Sequence, residues 1–274
     1  MKRRTFVGGS ALAGFLAAMP LTRALAGTAA PGSPGAKTGP YDFRSYRETN
    51  RLCPVYNVTP DDGYYLHTFY DVCPWSPTQR YLACTKFPFQ DREPKYGEEA
   101  RICLIDIKDK TLTEVWSTRA WGFQLGSNVQ WGGTDRYLYF NDLVDGEAAC
   151  IRLDLETGKG EALAGPMYHV APDDSAVVSF PLDLINASQS GYGYAEDPAR
   201  ARSLKPGAAG DEGIWRTDLK TGEKTLIVSL AEAYEVLPDA DKKRFEGGTF
   251  SVSYTHLTLP TTIGWCRSRW SPYH

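Results

Sequence analysis

Short hydrophobic segments separated by polar turns run along the chain from about Tyr41 onward. Within these segments, apolar residues alternate with polar ones or form brief apolar runs, which is typical of β-strands. No apolar pattern with the 3.6-residue period of a long helix occurs before about residue 230. The pattern therefore predicts an all-β fold.

Three segments repeat one order of elements: a polar turn, a strand, a variable loop, a strand that ends in aspartate and an aliphatic residue, a tight turn and a further strand. The equivalent aspartates are Asp106, Asp154 and Asp218, which are 48 and 64 residues apart. A four-stranded blade of a β-propeller takes about 40 to 50 residues. The longer interval therefore contains an insertion, at residues 183–211.

The repeats predict an incomplete β-propeller of four-stranded antiparallel blades over residues 41–251, with three to four blades. Propellers close with about 4 to 8 blades, so we expect the missing blades to lie beyond Ser251. Two packed β-sheets built from the same strands are the structural alternative.

The N-terminal 26 residues have the pattern of an export signal. Arg3 and Arg4 precede Phe6, an uncharged apolar stretch follows from Gly8, and the segment ends in small residues at Ala26. This predicts a signal-peptide helix of the twin-arginine class, cleaved near Ala26, with the twin-arginine translocase as partner and a periplasmic or extracellular location. An ordinary secretory signal is the alternative. The apolar stretch is too short for a stable membrane anchor.

Residues 27–40 are rich in Ala, Gly, Pro, Ser and Thr and predict a flexible leader. Residues 252–274 resemble translated sequencing adaptor, and we expect them to be an artefact rather than part of the fold. A genuine terminal strand and loop is the alternative.

The charge balance excludes one class of partner. The whole chain has a formal net charge of −3, but residues 27–251 hold 24 Lys and Arg against 33 Asp and Glu, a balance of −9. A nucleic-acid-binding protein needs a basic surface to neutralise phosphates, so we expect no nucleic-acid partner. The same residues contain five cysteines, Cys53, Cys73, Cys84, Cys103 and Cys150, for which packing is favoured over disulfide bonding.

One segment combines flat aromatic rings with amides, a combination that suits carbohydrate. Its predicted ligand-binding residues are Trp121, Gln124, Asn128, Gln130 and Trp131. The alternative is that they pack the innermost strand between blades.

The insertion adds aromatic and basic residues that suit an acidic sugar, Tyr192, Tyr194, Arg200 and Arg202, with a solvated loop as the alternative. Weak catalytic candidates are His67, His169, Tyr192 and Tyr194, because proton abstraction needs a general base. For either histidine, a hydrogen-bonded structural role is the favoured alternative.

The blade signature is Ser-Pro or Pro-Asp before a strand and Asp-Leu-x-Thr-Gly at the hairpin, as at Asp154 and Asp218. It resembles the TolB-like propellers and the oligogalacturonate-lyase-type propellers. The resemblance implies a protein that binds or cleaves oligosaccharide, by β-elimination of uronate glycans if it is an enzyme. The competing hypothesis is a non-catalytic TolB-like propeller that binds a cell-envelope protein.

In the lyases a divalent metal is bound in later blades. The resemblance therefore implies no metal ligand and no cofactor in this chain, and we expect the fragment itself to be inactive.

Overall fold

The computed structural model describes residues 37–46, 53–188, 191–201, 206–243 and 249–250. The predicted signal peptide and the adaptor-like segment lie outside these residues. The first described strands form a small ribbon, β1 (Arg44–Ser45) paired with β2 (Tyr56–Asn57). Just before it, Thr38 donates its backbone N–H to Leu112 O at 2.9 Å, and Tyr41 donates to Lys110 O at 3.0 Å. The segment therefore covers part of a blade edge that would otherwise present unpaired backbone groups.

The first blade is a four-stranded antiparallel sheet in sequential order, from the inner strand to the outer. Its strands are β3 (Tyr64–Leu66), β4 (Tyr81–Phe87), β5 (Ala100–Asp106) and β6 (Thr111–Thr118). The second blade has the same order, with β7 (Gln130–Trp131), β8 (Tyr137–Val144), β9 (Glu147–Asp154) and β10 (Lys159–Ala162).

The third blade contains the predicted insertion. In chain order the segment holds β11 (His169–Val170), β12 (Ala176–Ser179), α1 (Leu182–Ser188), β13 (Gly207–Ala208), β14 (Gly213–Asp218) and β15 (Lys224–Ser229). The sheet runs β11-β12-β14-β15, so α1 and β13 replace the tight turn that joins β8 to β9. Two short helices, α2 (Leu230–Glu235) and α3 (Asp239–Lys242), follow, and β16 (Thr249–Phe250) pairs in parallel with β13.

The blades pack face to face through alternating residues of their middle strands. In β8, Leu138 and Phe140 lie in a core shared with Ile102 and Trp116 of the first blade. Tyr139, between them in sequence, lies in a second core with Val177 of the third blade. Because successive strand residues point to opposite faces, one strand supplies both interfaces. Consecutive four-stranded sheets packed in this way are propeller blades, so the predicted all-β fold class is confirmed.

A buried carboxylate joins the first two blades. Asp142 of β8 accepts hydrogen bonds from Trp116 Nε1 at 3.0 Å and from the backbone N–H of Arg119 at 2.9 Å. It is 7% exposed, and a buried charge is stable only where hydrogen bonds replace water. Asp142 therefore fixes the outer strand of one blade against the second strand of the next.

The polar turns after the inner strands are linked from blade to blade. Asp135 of the second blade accepts from the backbone N–H of Thr78 at 3.0 Å and from the Ser76 hydroxyl at 3.1 Å, both in the first blade. Asp174 of the third blade accepts from the backbone N–H of Gly133 in the second at 2.8 Å. Each of these carboxylates thus completes the turn of the preceding blade.

The repeated aspartates close the outer hairpins. Asp154 accepts from the N–H groups of Glu156 and Thr157, at 2.9 and 3.3 Å. Asp218 accepts from Lys220 and Thr221, at 3.0 and 2.9 Å. The Arg136 side chain first and then the turn N–H groups lower the pKa of Asp154 to about 2. For Asp218, the two turn N–H groups lower the pKa to about 2.

We expect Asp135→Ala to destabilise the protein, because it removes the acceptor of several hydrogen bonds between two blades. The free energy of unfolding should fall by roughly 1–2 kcal/mol, measured by urea denaturation. Glu93→Ala, which removes an exposed carboxylate on the loop between β4 and β5, is the control and should change it by less than about 0.5 kcal/mol. Equal stabilities for the two variants would contradict the role given to Asp135.

Acid should weaken the hairpins. Because the pKa values of Asp154 and Asp218 are lowered in the folded protein, their contribution is complete above the unfolded-state pKa of about 4. It is lost as the pH falls through about 2. The urea midpoint should therefore drop between about pH 4 and pH 2, and the double variant Asp154→Asn, Asp218→Asn should show a shallower drop. Glu156→Gln, in the same turn as Asp154, should keep the wild-type slope.

Candidate functional site

The inner strand of the first blade contains an excursion, which we call the central loop, residues 67–74. Leu66 pairs with Thr85 of β4, and the next pair along the sheet joins Trp75 to Leu82. Eight residues of the inner strand therefore lie opposite only two residues of β4. The surplus residues leave the sheet on its innermost side.

The central loop reaches both of the other blades. The buried Thr68 hydroxyl donates to Val129 O at 2.9 Å, at the start of the second blade. Asp71 Oδ2 lies 3.5 Å from His169 Nε2 on the inner strand of the third blade. Thr68 has a φ of 90°, which a β-branched residue adopts only where its surroundings hold it there. These contacts fix the loop between the inner strands.

Several polar and aromatic side chains around the loop stay open to solvent. Tyr70 is 55% exposed and lies against Phe69, with ring centroids 4.6 Å apart. His67 is exposed, and the side chains of His169 and Asp71 are 39% and 26% exposed. The structure therefore brings one predicted catalytic candidate, His169, together with a carboxylate and an open tyrosine ring. Asp71 and Tyr70 were missed at the sequence level, where no pattern singles out an irregular loop.

The two predicted sugar-stacking tryptophans have packing positions. Trp121 is 1% exposed, stacks on Phe87 at 5.2 Å and donates through Nε1 to Glu98 O at 2.8 Å. Trp131 is half-buried, stacks with Tyr81 and donates through Nε1 to Pro74 O at 3.0 Å. The indole of Trp121 therefore has no face open to a ligand. Trp131 instead binds the last residue of the central loop, Pro74.

Two of the predicted ligand-binding amides bind backbone instead. Asn128 Nδ2 donates to Met167 O at 2.9 Å and Tyr168 O at 2.7 Å. Gln130 Nε2 also donates to Tyr168 O, and its Oε1 accepts from the N–H of Val170. Both residues are buried, and together they hold the segment that leads into β11. The backbone groups that they bind belong to residues within two positions of His169, so the two amides position His169 and do not face a ligand.

Gln124 differs from these amides because its side chain is exposed. Its backbone N–H donates to Gly191 O at 3.0 Å, which places it beside the insertion. Gly122 allows this contact, since a Cβ there would lie 2.3 Å from Gly193 O. The close approach brings Tyr192 to Phe69 of the central loop, with ring centroids 5.9 Å apart. Tyr192 therefore contacts the central loop, and Gln124 lies beside the insertion that carries Tyr192.

The remaining insertion residues lie elsewhere. Tyr194 is buried, and Arg200 donates through Nη1 to Asp145 O at 2.8 Å. Both line a cleft of about 490 Å³ between the second and third blades. Its described lining includes five carboxylates, Glu147, Asp183, Glu196, Asp197 and Glu212, against two basic groups, Arg200 and Lys224. This balance does not favour an acidic sugar. Arg202, the other predicted basic residue, lies outside the described residues.

Within the described parts of the chain, no three His, Cys, Asp or Glu side chains come together as metal ligands. No chemical step is assigned to a metal in this part of the chain. In the same residues, no helix is both long and apolar enough to cross a membrane.

Solved structures similar to the chain include an oligogalacturonate lyase in complex with manganese, at 18% identity and a TM-score of 0.47. The match covers 71% of this chain and 48% of that one. A second oligogalacturonate lyase, from Vibrio parahaemolyticus, is 14% identical with a TM-score of 0.47, covering 72% and 49% of the two chains. TolB from Acinetobacter baumannii is 15% identical with a TM-score of 0.40, covering 66% and 37%.

The chain thus spans about half the length of the two lyases. No protein-family model and no curated protein matches it. The two kinds of propeller named by the sequence resemblance, TolB and oligogalacturonate lyase, are both among the similar structures.

We expect Gln130→Glu to destabilise the protein, because it keeps the size of the side chain but buries a carboxylate and removes one of the two amide donors to Tyr168 O, the other being Asn128 Nδ2. The free energy of unfolding should fall by at least about 1–3 kcal/mol. Gln124→Glu makes the same change on an exposed side chain and should have almost no effect. A stable Gln130→Glu protein, with a urea midpoint equal to that of Gln124→Glu, would show that Gln130 is not needed for packing.

Proposed function

We propose that the protein binds oligosaccharide at the central loop, on the surface formed by Tyr70, Asp71, His169 and Gln124. The observation that carries the proposal is the exposed Tyr70 ring beside the Asp71–His169 pair. An aromatic face packs against the apolar face of a sugar ring, while carboxylate, imidazole and amide groups bind its hydroxyls. Binding sites of this kind combine an apolar wall with a few fixed polar groups.

The polar groups of the surface are held in place before any ligand binds. Asp71 and His169 come from different blades and lie 3.5 Å apart. The backbone on either side of this pair is fixed by two buried hydrogen bonds, from the Thr68 hydroxyl to Val129 O and from Gln130 Nε2 to Tyr168 O. A preformed site loses less conformational entropy on binding, which supports recognition by this surface.

The same surface holds the residue that a lyase reaction needs first. In β-elimination a base removes the proton next to the uronate carboxylate, and the glycosidic oxygen leaves from the neighbouring carbon. In our proposal His169 is that base, since its imidazole is partly exposed and Asp71 lies close enough to orient it. Binding is the primary proposal, and cleavage is its extension for the whole protein.

Titration calorimetry with oligogalacturonides and with neutral oligosaccharides tests binding. Tyr70→Ala should weaken binding about three- to tenfold, the range for loss of one aromatic contact. Tyr56→Ala is the matched control, because Tyr56 is 58% exposed, close to the 55% of Tyr70, but belongs to the ribbon β1–β2. Absence of binding by the wild-type chain, or equal loss in both variants, would count against the proposed surface.

The lyase extension has a separate readout. If His169 is the base, His169→Asn should abolish the ultraviolet absorbance of unsaturated product while oligosaccharide still binds within a few-fold of wild type. Binding without any product by the whole protein, to which the catalytic extension refers, would leave the binding proposal standing and remove the catalytic one.

A further inference from the structure

Two cysteines of the first blade lie directly opposite each other. In the antiparallel register of β4 and β5, Cys84 is the partner of Cys103. Directly opposite residues project from the same face of a sheet. Both side chains accordingly lie in one core cluster, beneath Tyr41 and Tyr65.

The spacing of such a pair matches a disulfide. Directly opposite residues on antiparallel strands have Cα atoms about 4.5–5.5 Å apart, and disulfides join Cα atoms about 4.4–6.8 Å apart. In the structure both cysteines are thiols, 5% and 0% exposed. The register therefore gives the two cysteines a backbone spacing that a disulfide can bridge.

The other cysteines lack this arrangement. Cys150 is also fully buried, but its partner across the strand pair is Asn141. Cys53 and Cys73 are exposed and lie outside the strands. The position of Cys84 and Cys103 is thus distinct among the described cysteines, and it is fixed by the sheet register.

We propose that Cys84 and Cys103 form a dithiol site that closes to a cross-strand disulfide in the presence of a small-molecule disulfide such as oxidised glutathione. One cysteine thiolate attacks a sulfur of glutathione disulfide, giving a mixed disulfide and releasing one glutathione thiolate. The second cysteine thiolate then attacks the protein sulfur of that bond and releases the second glutathione. The two cysteines lose two electrons and two protons, and the oxidant becomes two glutathione thiols.

The surroundings make closure slow at neutral pH. Contact with the Cys84 thiol and burial raise the pKa of the Cys103 thiol well above its ordinary value. Only the thiolate attacks a disulfide, so the rate should increase as the pH is raised from 7 to 9. Since Tyr41, Val58 and Tyr65 pack against the cluster that holds both thiols, the first attack also requires these side chains to move aside.

Peptide mapping tests the proposal directly. The full chain is incubated with oxidised glutathione at pH 8, quenched in acid, unfolded, alkylated without reduction and digested with trypsin. Cleavage after Arg80, Lys86, Arg101 and Lys108 places the two cysteines on separate peptides, 81–86 and 102–108. We expect these peptides to be joined, with a mass two hydrogens below their sum, while the peptide with Cys150 is alkylated.

The result that overturns the proposal is alkylation of both Cys84 and Cys103 while Cys53 or Cys73 carries glutathione. Linkage of either residue to another cysteine overturns it equally. As a second measurement, oxidation should raise the Tm of the wild-type chain by several degrees but not that of Cys103→Ser, since the bond restricts the unfolded chain between residues 84 and 103. The matched variant Cys150→Ser should keep the oxidative increase.

Discussion

The structure depends on the burial of both faces of the second blade. Leu138 and Phe140 of β8 pack against the first blade, and Tyr139 packs against the third. A shift of one residue in the register of β8 would exchange these sets and spoil both interfaces at once. The register of this strand therefore sets the spacing of the three inner strands. The site depends on that spacing, since Asp71 and His169 come from the first and third blades, which pack on opposite faces of the second.

Most of the blade architecture was predictable because its signals are local. The alternation in β4, β8 and β9 and the aspartate at each outer hairpin depend on residues only a few positions apart. The equivalence of Asp106, Asp154 and Asp218 placed the outer turns and located the insertion. The central loop was not predicted, because residues 67–74 have no period and only the pairing of β3 with β4 shows how many of them lie outside the sheet.

The candidate site was predicted in part. His169 and Gln124 lie on the proposed surface, and Tyr192 borders it through Phe69. Trp121, Asn128 and Gln130 are buried. Aromatic rings and amides are as suitable for packing in a core, where they donate to backbone carbonyls, as they are for binding a sugar. Composition cannot separate these uses. Gln130 binds Tyr168, which is 38 residues away in sequence. A contact between residues so far apart is visible only in the folded structure.

The carboxylates that join the polar turns give the repeat a direction. Asp135 completes a turn 57 residues earlier in the chain, and Asp174 completes one 41 residues earlier. During synthesis from the N-terminus, each turn therefore gains its carboxylate acceptor only after a later blade has been made. Ribosomal synthesis proceeds at about 5–20 residues per second, so each blade spends seconds with an incomplete turn. A pause in translation between two blades would lengthen the time during which the earlier turn lacks its carboxylate. The rate of synthesis would therefore affect how the blades assemble.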